Sequence, residues 1–168
     1  MKTAEGKRDL RTFFTSAIQA EAPVHKEVLL ERFKDEWGIQ RLRAATRQIA
    51  EDVLRAVEVD GRSVSPGNDD VCRLPGKPRP EVRVPVRGLP PRKLEHIPFE
   101  ELDLAVAHVI QDAHSIDIDL LAQQAVKIFG WQRVTEEVRS IIELSIERLL
   151  AAGDVARSPN GELSVVFD

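Results

Sequence analysis

The chain has 168 residues, of which 42% are hydrophobic, and it contains a single cysteine. This length allows one medium domain or two small ones, and the apolar fraction is typical of a folded protein. One cysteine excludes an internal disulfide and a multi-cysteine zinc site. No segment reaches the roughly 18 apolar residues of a membrane span, and residues 1–10 lack the apolar core of a signal peptide, so we expect a cytoplasmic protein without a membrane partner.

The net charge of −4 is unevenly distributed along the chain. Residues 1–60 hold as many basic as acidic side chains, residues 61–93 have a net charge of +5, and residues 94–168 have a net charge of −9. A basic segment attracts phosphate groups, whereas an acidic surface repels them and attracts basic proteins. The middle and the end of the chain are therefore predicted to have different partners.

The first part of the chain shows the periodicity of three helices. Apolar residues at helical spacing predict a first helix over residues 9–20, a second over residues 26–37 and a third over residues 40–57. Pro23 predicts a break between the first two helices, because proline disfavours helix at the residue before it. Gly38 lies where the second helix would end, a position that favours a positive φ.

The following segment alternates apolar and polar residues around the turn sequence Pro66-Gly67-Asn68-Asp69. This pattern predicts a β-hairpin that turns at these four residues. Residues 76–93 are then rich in proline and in basic side chains, which predicts an extended linker that is stiffer than a Gly/Ser one.

The last part of the chain shows the same order of elements. Helices are predicted over residues 99–113, 118–129 and 134–152, with Asp117 as the cap of the second and Gly130 at its end. The final segment contains Asn160-Gly161, a strong hairpin signal, flanked by apolar residues. These flanking residues are Val155, Leu163, Val165 and Phe167.

A shift of 92 positions aligns the two parts without a gap from residue 10 to residue 61, with identity at 11 of 52 positions. The stretch "DEWGIQRLR" at 35–43 thus matches "KIFGWQRVT" at 127–135. Core positions and the turn glycine keep one register, which indicates a duplication.

Three helices followed by a hairpin form the layout of a winged helix, in which the second and third helices make a helix-turn-helix. We predict a mainly α protein with small β wings: winged-helix domains at 8–75 and 94–168, joined by the linker 76–93.

A winged helix usually lays its third helix in the major groove of DNA and its wing on the backbone. Arginine there can bind phosphate or the guanine edge. The candidate nucleic-acid-binding residues are Gln40, Arg43, Arg47 and Arg55 of the third helix, Arg62 and Arg73 of the wing, and Lys77, Arg79 and Arg83 of the linker.

The second copy separates these candidates into two groups. Arg43 and Arg55 correspond to Thr135 and Glu147, so they are the better candidates for a contact that only the first unit makes. Arg47 recurs as Arg139 in the acidic unit, which favours a structural role over DNA binding. Arg41 recurs as Arg133, and we expect the two to pack on an aromatic ring or to bond a helix end.

The second unit is not predicted to bind DNA. Its third helix carries Glu136, Glu137, Glu143 and Glu147, which phosphates would repel, so a protein surface or the basic linker is the expected partner.

The acidic cluster at 112–119 lacks the turn glycine and the closing glutamate of a calcium loop, and helix capping explains it. The sequence also has no phosphate-binding loop and no pattern of paired acids. We therefore predict that the protein is not an enzyme and that it holds no cofactor or metal.

Residues 97–163, "IPFEELDLAVAHVIQDAHSIDIDLLAQQAVKIFGWQRVTEEVRSIIELSIERLLAAGDVARSPNGEL", resemble the C-terminal domain of unknown function 3320 of large bacterial proteins. Those proteins combine a superfamily 1 helicase motor with an endonuclease domain similar to very-short-patch repair nucleases. The resemblance lies in a glutamate-rich start of the first helix, in "FGWQR" at 129–133, in a third helix and in Gly153-Asp154-Val155. "EAPVHKEVLLERFKDEWGIQR" resembles the segment that precedes that domain, which extends the resemblance to residues 10–165.

The resemblance implies an accessory module of DNA-processing machinery, and it carries over no catalytic residue. This chain has no motor and no nuclease segment, so it is either a fragment of such a protein or a stand-alone relative. We therefore predict a non-catalytic tandem winged-helix module that binds or positions DNA as an accessory to a helicase or nuclease system. The alternatives are a protein-interaction module that docks onto a helicase or nuclease through its acidic domain, and a transcription regulator.

Overall fold

The computed structural model describes residues 3–76, 81–88 and 90–166. In chain order, its elements are α1 (Ala4–Glu21), β1 (Val24–His25), α2 (Lys26–Glu36), α3 (Ala44–Arg55), β2 (Glu58–Val59), β3 (Arg62–Ser63), β4 (Val71–Cys72), a 3₁₀-helix (Leu94–His96), α4 (Phe99–Ala113), α5 (Ile118–Phe129), α6 (Glu136–Ala152), β5 (Val155–Arg157) and β6 (Leu163–Val165). The protein is mainly helical with small two-stranded sheets, as predicted. It divides into two compact units, residues 1–78 and 79–168.

The first unit packs α1, α2 and α3 around one apolar core, because each helix buries a single stripe of its surface. The buried stripes are Leu10, Phe14 and Ile18 of α1, Leu29, Leu30 and Phe33 of α2, and Ala50, Val53 and Leu54 of α3. The ring of Trp37, at the end of α2, packs edge-on against Phe13 with centroids 5.1 Å apart. This contact closes the core beside the connection from α2 to α3.

The second unit buries the same positions of its helices. Leu102, Val106 and Ile110 of α4 take the places of the buried α1 residues, and α5 and α6 supply Leu121, Ala125, Ile142 and Ile146. Each of these residues lies 92 positions after a buried residue of the first unit. In both units, the segment between the first two helices also pairs with the last strand: Val24 with Cys72, and Ile116 with Leu163.

The connection between the second and third helices differs in part from the prediction. Gly38 and Gly130 have positive φ angles of 61° and 72°, as predicted. The third helix of the first unit, however, begins at Ala44 rather than at residue 40. Ile39 and Leu42 of the connection pack against the core, so residues 39–43 form an irregular turn instead of the first turn of a helix.

The hairpin of the first unit also differs from the prediction. Strands β2 and β3 turn at Asp60 and Gly61, which both have positive φ, the geometry of a two-residue type I′ turn. The predicted turn residues 66–69 instead lead into β4, which pairs with β1. In the second unit, β5 and β6 flank Asn160-Gly161 as predicted; Phe167 lies outside the described residues.

The predicted linker is largely part of the second unit. The side chain of Glu101, on the first turn of α4, is fully buried and forms ion pairs with Arg83 and Arg92. The backbone N–H of Arg83 donates to Glu101 over 2.9 Å, and the guanidinium of Arg92 donates to the carbonyl of Arg83 over 2.9 Å. The indole N–H of Trp131 donates to the carbonyl of Arg92 over 2.9 Å, which fastens the segment to the turn before α6.

Burial alone would raise the pKa of Glu101, but the hydrogen bonds from Arg92 and Arg83 outweigh burial and hold that pKa below its ordinary value of 4.5. The carboxylate is therefore charged at neutral pH. A buried charge is tolerated only when it is paired, so Glu101 requires both arginines beside it. Two basic residues that sequence reasoning assigned to a free linker are thereby neutralised.

We predict that Glu101→Gln lowers the free energy of unfolding of the second unit by about 3 kcal/mol, because two half-buried guanidinium groups lose their counter-ion. Urea unfolding at pH 7, followed by the fluorescence of Trp131 in a Trp37→Phe background, measures this loss. Glu95→Gln is the control: Glu95 is exposed and should cost less than about 0.5 kcal/mol.

The pH dependence gives a second read-out of the same interaction. Since the folded-state pKa of Glu101 is depressed, its contribution is present above about pH 4.5 and is lost as the pH falls through the lower folded value. The stability difference between wild type and Glu101→Gln should therefore shrink in acid. A difference below about 1 kcal/mol at pH 7 would show that the ion pairs do not hold the segment.

Candidate nucleic-acid interface

Two arginines stand on the turn between α2 and α3, and we call Arg41 and Arg43 the turn arginines. Both are exposed, and neither side chain forms a hydrogen bond or a salt bridge with a described residue. They point outward because the neighbouring Ile39 and Leu42 are drawn into the core. The expected packing of Arg41 on an aromatic ring or against a helix end is not found. Its side chain is available to a ligand.

The N-terminus of α3 adjoins the turn arginines. Arg43 is its N-cap residue but makes no side-chain capping bond, and the first turn holds no acidic residue. The first N–H groups of a helix lack intrahelical acceptors and carry a partial positive charge. By contrast, Thr135 caps α6 by accepting the N–H of Val138 over 3.2 Å, and two glutamates follow it. The helix end suited to an anion is thus the one in the first unit.

The β2–β3 hairpin presents a third basic residue. Arg62 begins β3 directly after the turn at Asp60 and Gly61, and it pairs across the hairpin with Val59. Its side chain is exposed and makes no hydrogen bond or salt bridge to any described residue. The side chain of Arg62 is therefore available to a ligand, as its place at a hairpin tip predicts.

The two arginines of α3 are instead paired with acids. Arg47 forms ion pairs with Glu27 of α2 and, over 2.8 Å, with Glu51. The hydrogen bond that Arg47 donates to Glu27 is the main cause that raises the pKa of Arg47. Arg55 donates to Asp52 over 2.7 Å. Their charges are balanced locally, so α3 itself contributes little attraction for phosphate.

The ion pair of Arg47 recurs in the second unit. Arg139 of α6 pairs with Asp119 of α5, and each partner lies 92 residues after its counterpart. The hydrogen bond that Arg139 donates to Asp119 raises the pKa of Arg139. This interaction appears both in the nearly neutral first unit and in the acidic second unit, and it ties the second helix to the third. This is the structural role that the sequence comparison favours.

The structure places the remaining predicted residues apart from the turn. Arg73 binds Asp69 through two hydrogen bonds of 2.9 and 2.6 Å, which lower the pKa of Asp69. Arg83 belongs to the second unit, where it binds Glu101. Gln40 is exposed on the turn, before the helix rather than on it. Lys77 and Arg79 lie outside the described residues.

Sequence reasoning missed Arg41 as a binding candidate, because its recurrence as Arg133 favoured a structural role. The presence of a repeated acidic partner distinguishes a structural arginine from one that is available to a ligand. Arg47 and Arg139 have an acid at matching positions of the preceding helix, Glu27 and Asp119, whereas the sequence offers Arg41 no such pair. A repeated arginine is structural only when its acid is repeated as well.

Other chemistry finds little support in the described residues. The acidic cluster at 112–119 is used locally: Asp117 caps α5 over 2.9 Å and Asp119 pairs with Arg139. Within residues 3–76, 81–88 and 90–166, no group of His, Cys, Asp and Glu side chains could hold a metal ion. Among the helices of these residues, none combines the length and apolar character needed to cross a membrane.

No protein-family model, curated protein or solved structure matches this chain. The resemblance of residues 10–165 to the domain of unknown function 3320 therefore stays a prediction.

We predict that Cys72 is unreactive in the folded protein. Its side chain is fully buried, and burial raises the pKa of the thiol to about 12, so almost no thiolate forms at pH 8. Alkylation by iodoacetamide at pH 8, followed by mass spectrometry, should be at least about 100-fold slower than in urea. Equal rates with and without urea would contradict the burial of this residue.

Proposed function

We propose that the protein is a DNA-binding module with two winged-helix units, and that the first unit binds duplex DNA through the turn arginines and Arg62. The module needs no catalytic residues for this role. In a winged helix, the start of the third helix and the hairpin are the parts that meet the two strands of the duplex. Both parts of the first unit carry exposed arginines.

The observation that carries the proposal is the division of the arginines into paired and unpaired groups. Arg47, Arg55 and Arg73 have carboxylate partners, whereas Arg41, Arg43 and Arg62 have none among the described residues. An arginine can bind a phosphate with two N–H donors, so a set of unpaired arginines at a helix start and a hairpin tip favours phosphate binding. The first N–H groups of α3 have no intrahelical acceptor, so they add hydrogen-bond donors for a phosphate at the same place.

A second candidate function, protein binding, is favoured by the second unit. The start of α6 is capped by Thr135, and the helix carries four glutamates, Glu136, Glu137, Glu143 and Glu147, which are exposed and form no salt bridge with a described residue. Such a surface repels phosphate and attracts a basic protein. The module would then hold DNA with one unit and a protein with the other, and a helicase or nuclease is the partner that the family resemblance implies.

We expect Arg43→Thr to weaken DNA binding roughly fivefold at about 50 mM salt, because one phosphate contact is lost. Threonine is the residue at the matching position of the second unit, and it is a better helix cap than arginine, so the fold should persist. Fluorescence anisotropy of a labelled mixed-sequence duplex with the full chain measures the dissociation constant.

Arg133→Gln serves as the matched control. It removes one exposed arginine from the corresponding turn of the acidic unit, so the net charge changes equally. We expect less than a twofold effect from this variant. Equal weakening by both variants would indicate general charge attraction, and no binding of wild type at about 50 mM salt would overturn the proposal.

A further inference from the structure

The second unit carries an open groove along the outer face of α4. Its volume is about 410 Å³, and α4 lines it with Leu104 and Ala107. The opposite wall consists of Leu149 at the end of α6 and of Val165 on β6. The hydrogen bond from the N–H of Val166 to the carbonyl of Asp154, at 3.0 Å, holds this wall in place. The floor of the groove is therefore apolar and is built on regular elements.

The rim of the groove is acidic. Glu100, Asp103 and Asp154 line it, and no lysine or arginine is among the residues that line it. Arg148 donates to Asp103 over 2.8 and 2.7 Å, and Glu100 also acts on the charge of Arg148. An apolar floor with carboxylates along its rim favours a partner that is apolar in the middle and basic at its edges.

The duplication shows that this groove belongs to the second unit alone. The positions that correspond to Leu104 and Ala107 are Thr12 and Thr15, and the position of Glu100 is Arg8. The same face of α1 is thus polar and basic. Because the two units bury matching core residues, the fold does not require leucine at position 104, and its half-exposed apolar surface calls for another explanation.

We infer that the groove binds an amphipathic helix of a partner protein, with leucine-like side chains on one face and lysine or arginine beside them. This inference rests on the second candidate function and names its surface. The α4 residues that line the groove run from Glu100 to Gln111, about 16 Å of helix, which matches roughly three turns of a ligand helix. Each described helix of this chain buries its own apolar stripe within its unit, so none of these helices is the occupant.

The probe is a synthetic amphipathic peptide of about 14 residues, with leucines at helical i, i+3, i+4 and i+7 spacing and lysines elsewhere. It is titrated into the ¹⁵N-labelled full chain, and amide chemical shifts are followed by NMR. We expect the shifts to concentrate at Leu104, Ala107 and Val165. A peptide of the same composition with the leucines spread around the helix should bind at least fivefold more weakly.

Two variants test the floor and the rim separately. Leu104→Thr introduces the residue that the first unit has at this position, and Asp154→Lys reverses one rim charge; each should weaken binding at least fivefold. The control is Leu144→Thr, which alters an exposed leucine on α6 outside the groove and should leave the affinity unchanged. The amide spectrum of each free variant verifies that it is folded.

The alternative outcomes separate the groove from the broader proposal. Shifts confined to α6, or an affinity unchanged by Leu104→Thr and Asp154→Lys, would show that the groove is not the binding site. The proposal that the acidic unit binds a protein would still stand. Equal binding of the rearranged peptide would show charge attraction alone and would likewise overturn the groove. The absence of any shift at about 1 mM peptide would contradict both.

Discussion

Glu101 carries a negative charge into the interior of the second unit, and much of the arrangement around it follows from that charge. A carboxylate shielded from water is strongly unfavourable unless positive groups accompany it. Arg83 and Arg92 supply those groups from a segment whose composition is that of a flexible linker. The segment is therefore held against α4 and Trp131 as part of the domain. Two of the six basic residues of the predicted linker, Arg83 and Arg92, are thus bound within the domain and are not available to a DNA backbone.

The same rule, that a paired charge is not available to a ligand, sorts the remaining arginines. On α3, Arg47 and Arg55 are balanced by acids of the same unit. The turn before α3 carries arginines without such partners, and so does the hairpin at Arg62. Positive charge thus remains at the helix start and the hairpin rather than along the helix. A surface of this kind suits contacts to phosphate more than the reading of base edges.

The comparison of the two units also shows how one scaffold can present two different surfaces. The core positions and the ion pair between the second and third helices are shared, so both units keep the same scaffold. Residues outside this frame have diverged: Arg43 corresponds to Thr135, and Thr12 corresponds to Leu104. These changes leave a single arginine, Arg133, on the turn of the second unit and place an apolar residue in its groove. Comparison of the two copies therefore separates residues that build the fold from residues that are free to bind.

Periodicity predicted all six helices, although α1 begins at residue 4 rather than 9 and α3 at residue 44 rather than 40. Residue-specific signals predicted the positive φ of Gly38 and Gly130, the cap at Asp117 and the second hairpin, because each depends on local chemistry. The segment at 81–93 could not be predicted in this way. Its position depends on Glu101, about 18 residues further along the chain, and composition does not reveal such a pairing. The first hairpin was misplaced because two turn sequences competed, and Asp60-Gly61 fits a two-residue turn better than residues 66–69 do.

The same limit applied to the candidate binding residues. Arg43 and Arg62 could be found from their positions, whereas the pairing that occupies Arg47, Arg55, Arg73 and Arg83 is a property of the folded chain. Arg41 was set aside because it recurs in the second copy. Only the folded structure shows that neither it nor Arg133 has a bonding partner among the described residues.

The most direct test of DNA binding by the unpaired arginines is the salt dependence of the affinity of the full chain for duplex DNA. Each phosphate contact contributes about 0.9 to the slope of log K against log salt concentration. The variant with Arg41→Gln, Arg43→Thr and Arg62→Gln should therefore lower the magnitude of the slope by about 2.7 relative to wild type. A slope that stays the same in this variant would contradict the assignment of DNA contact to these three residues.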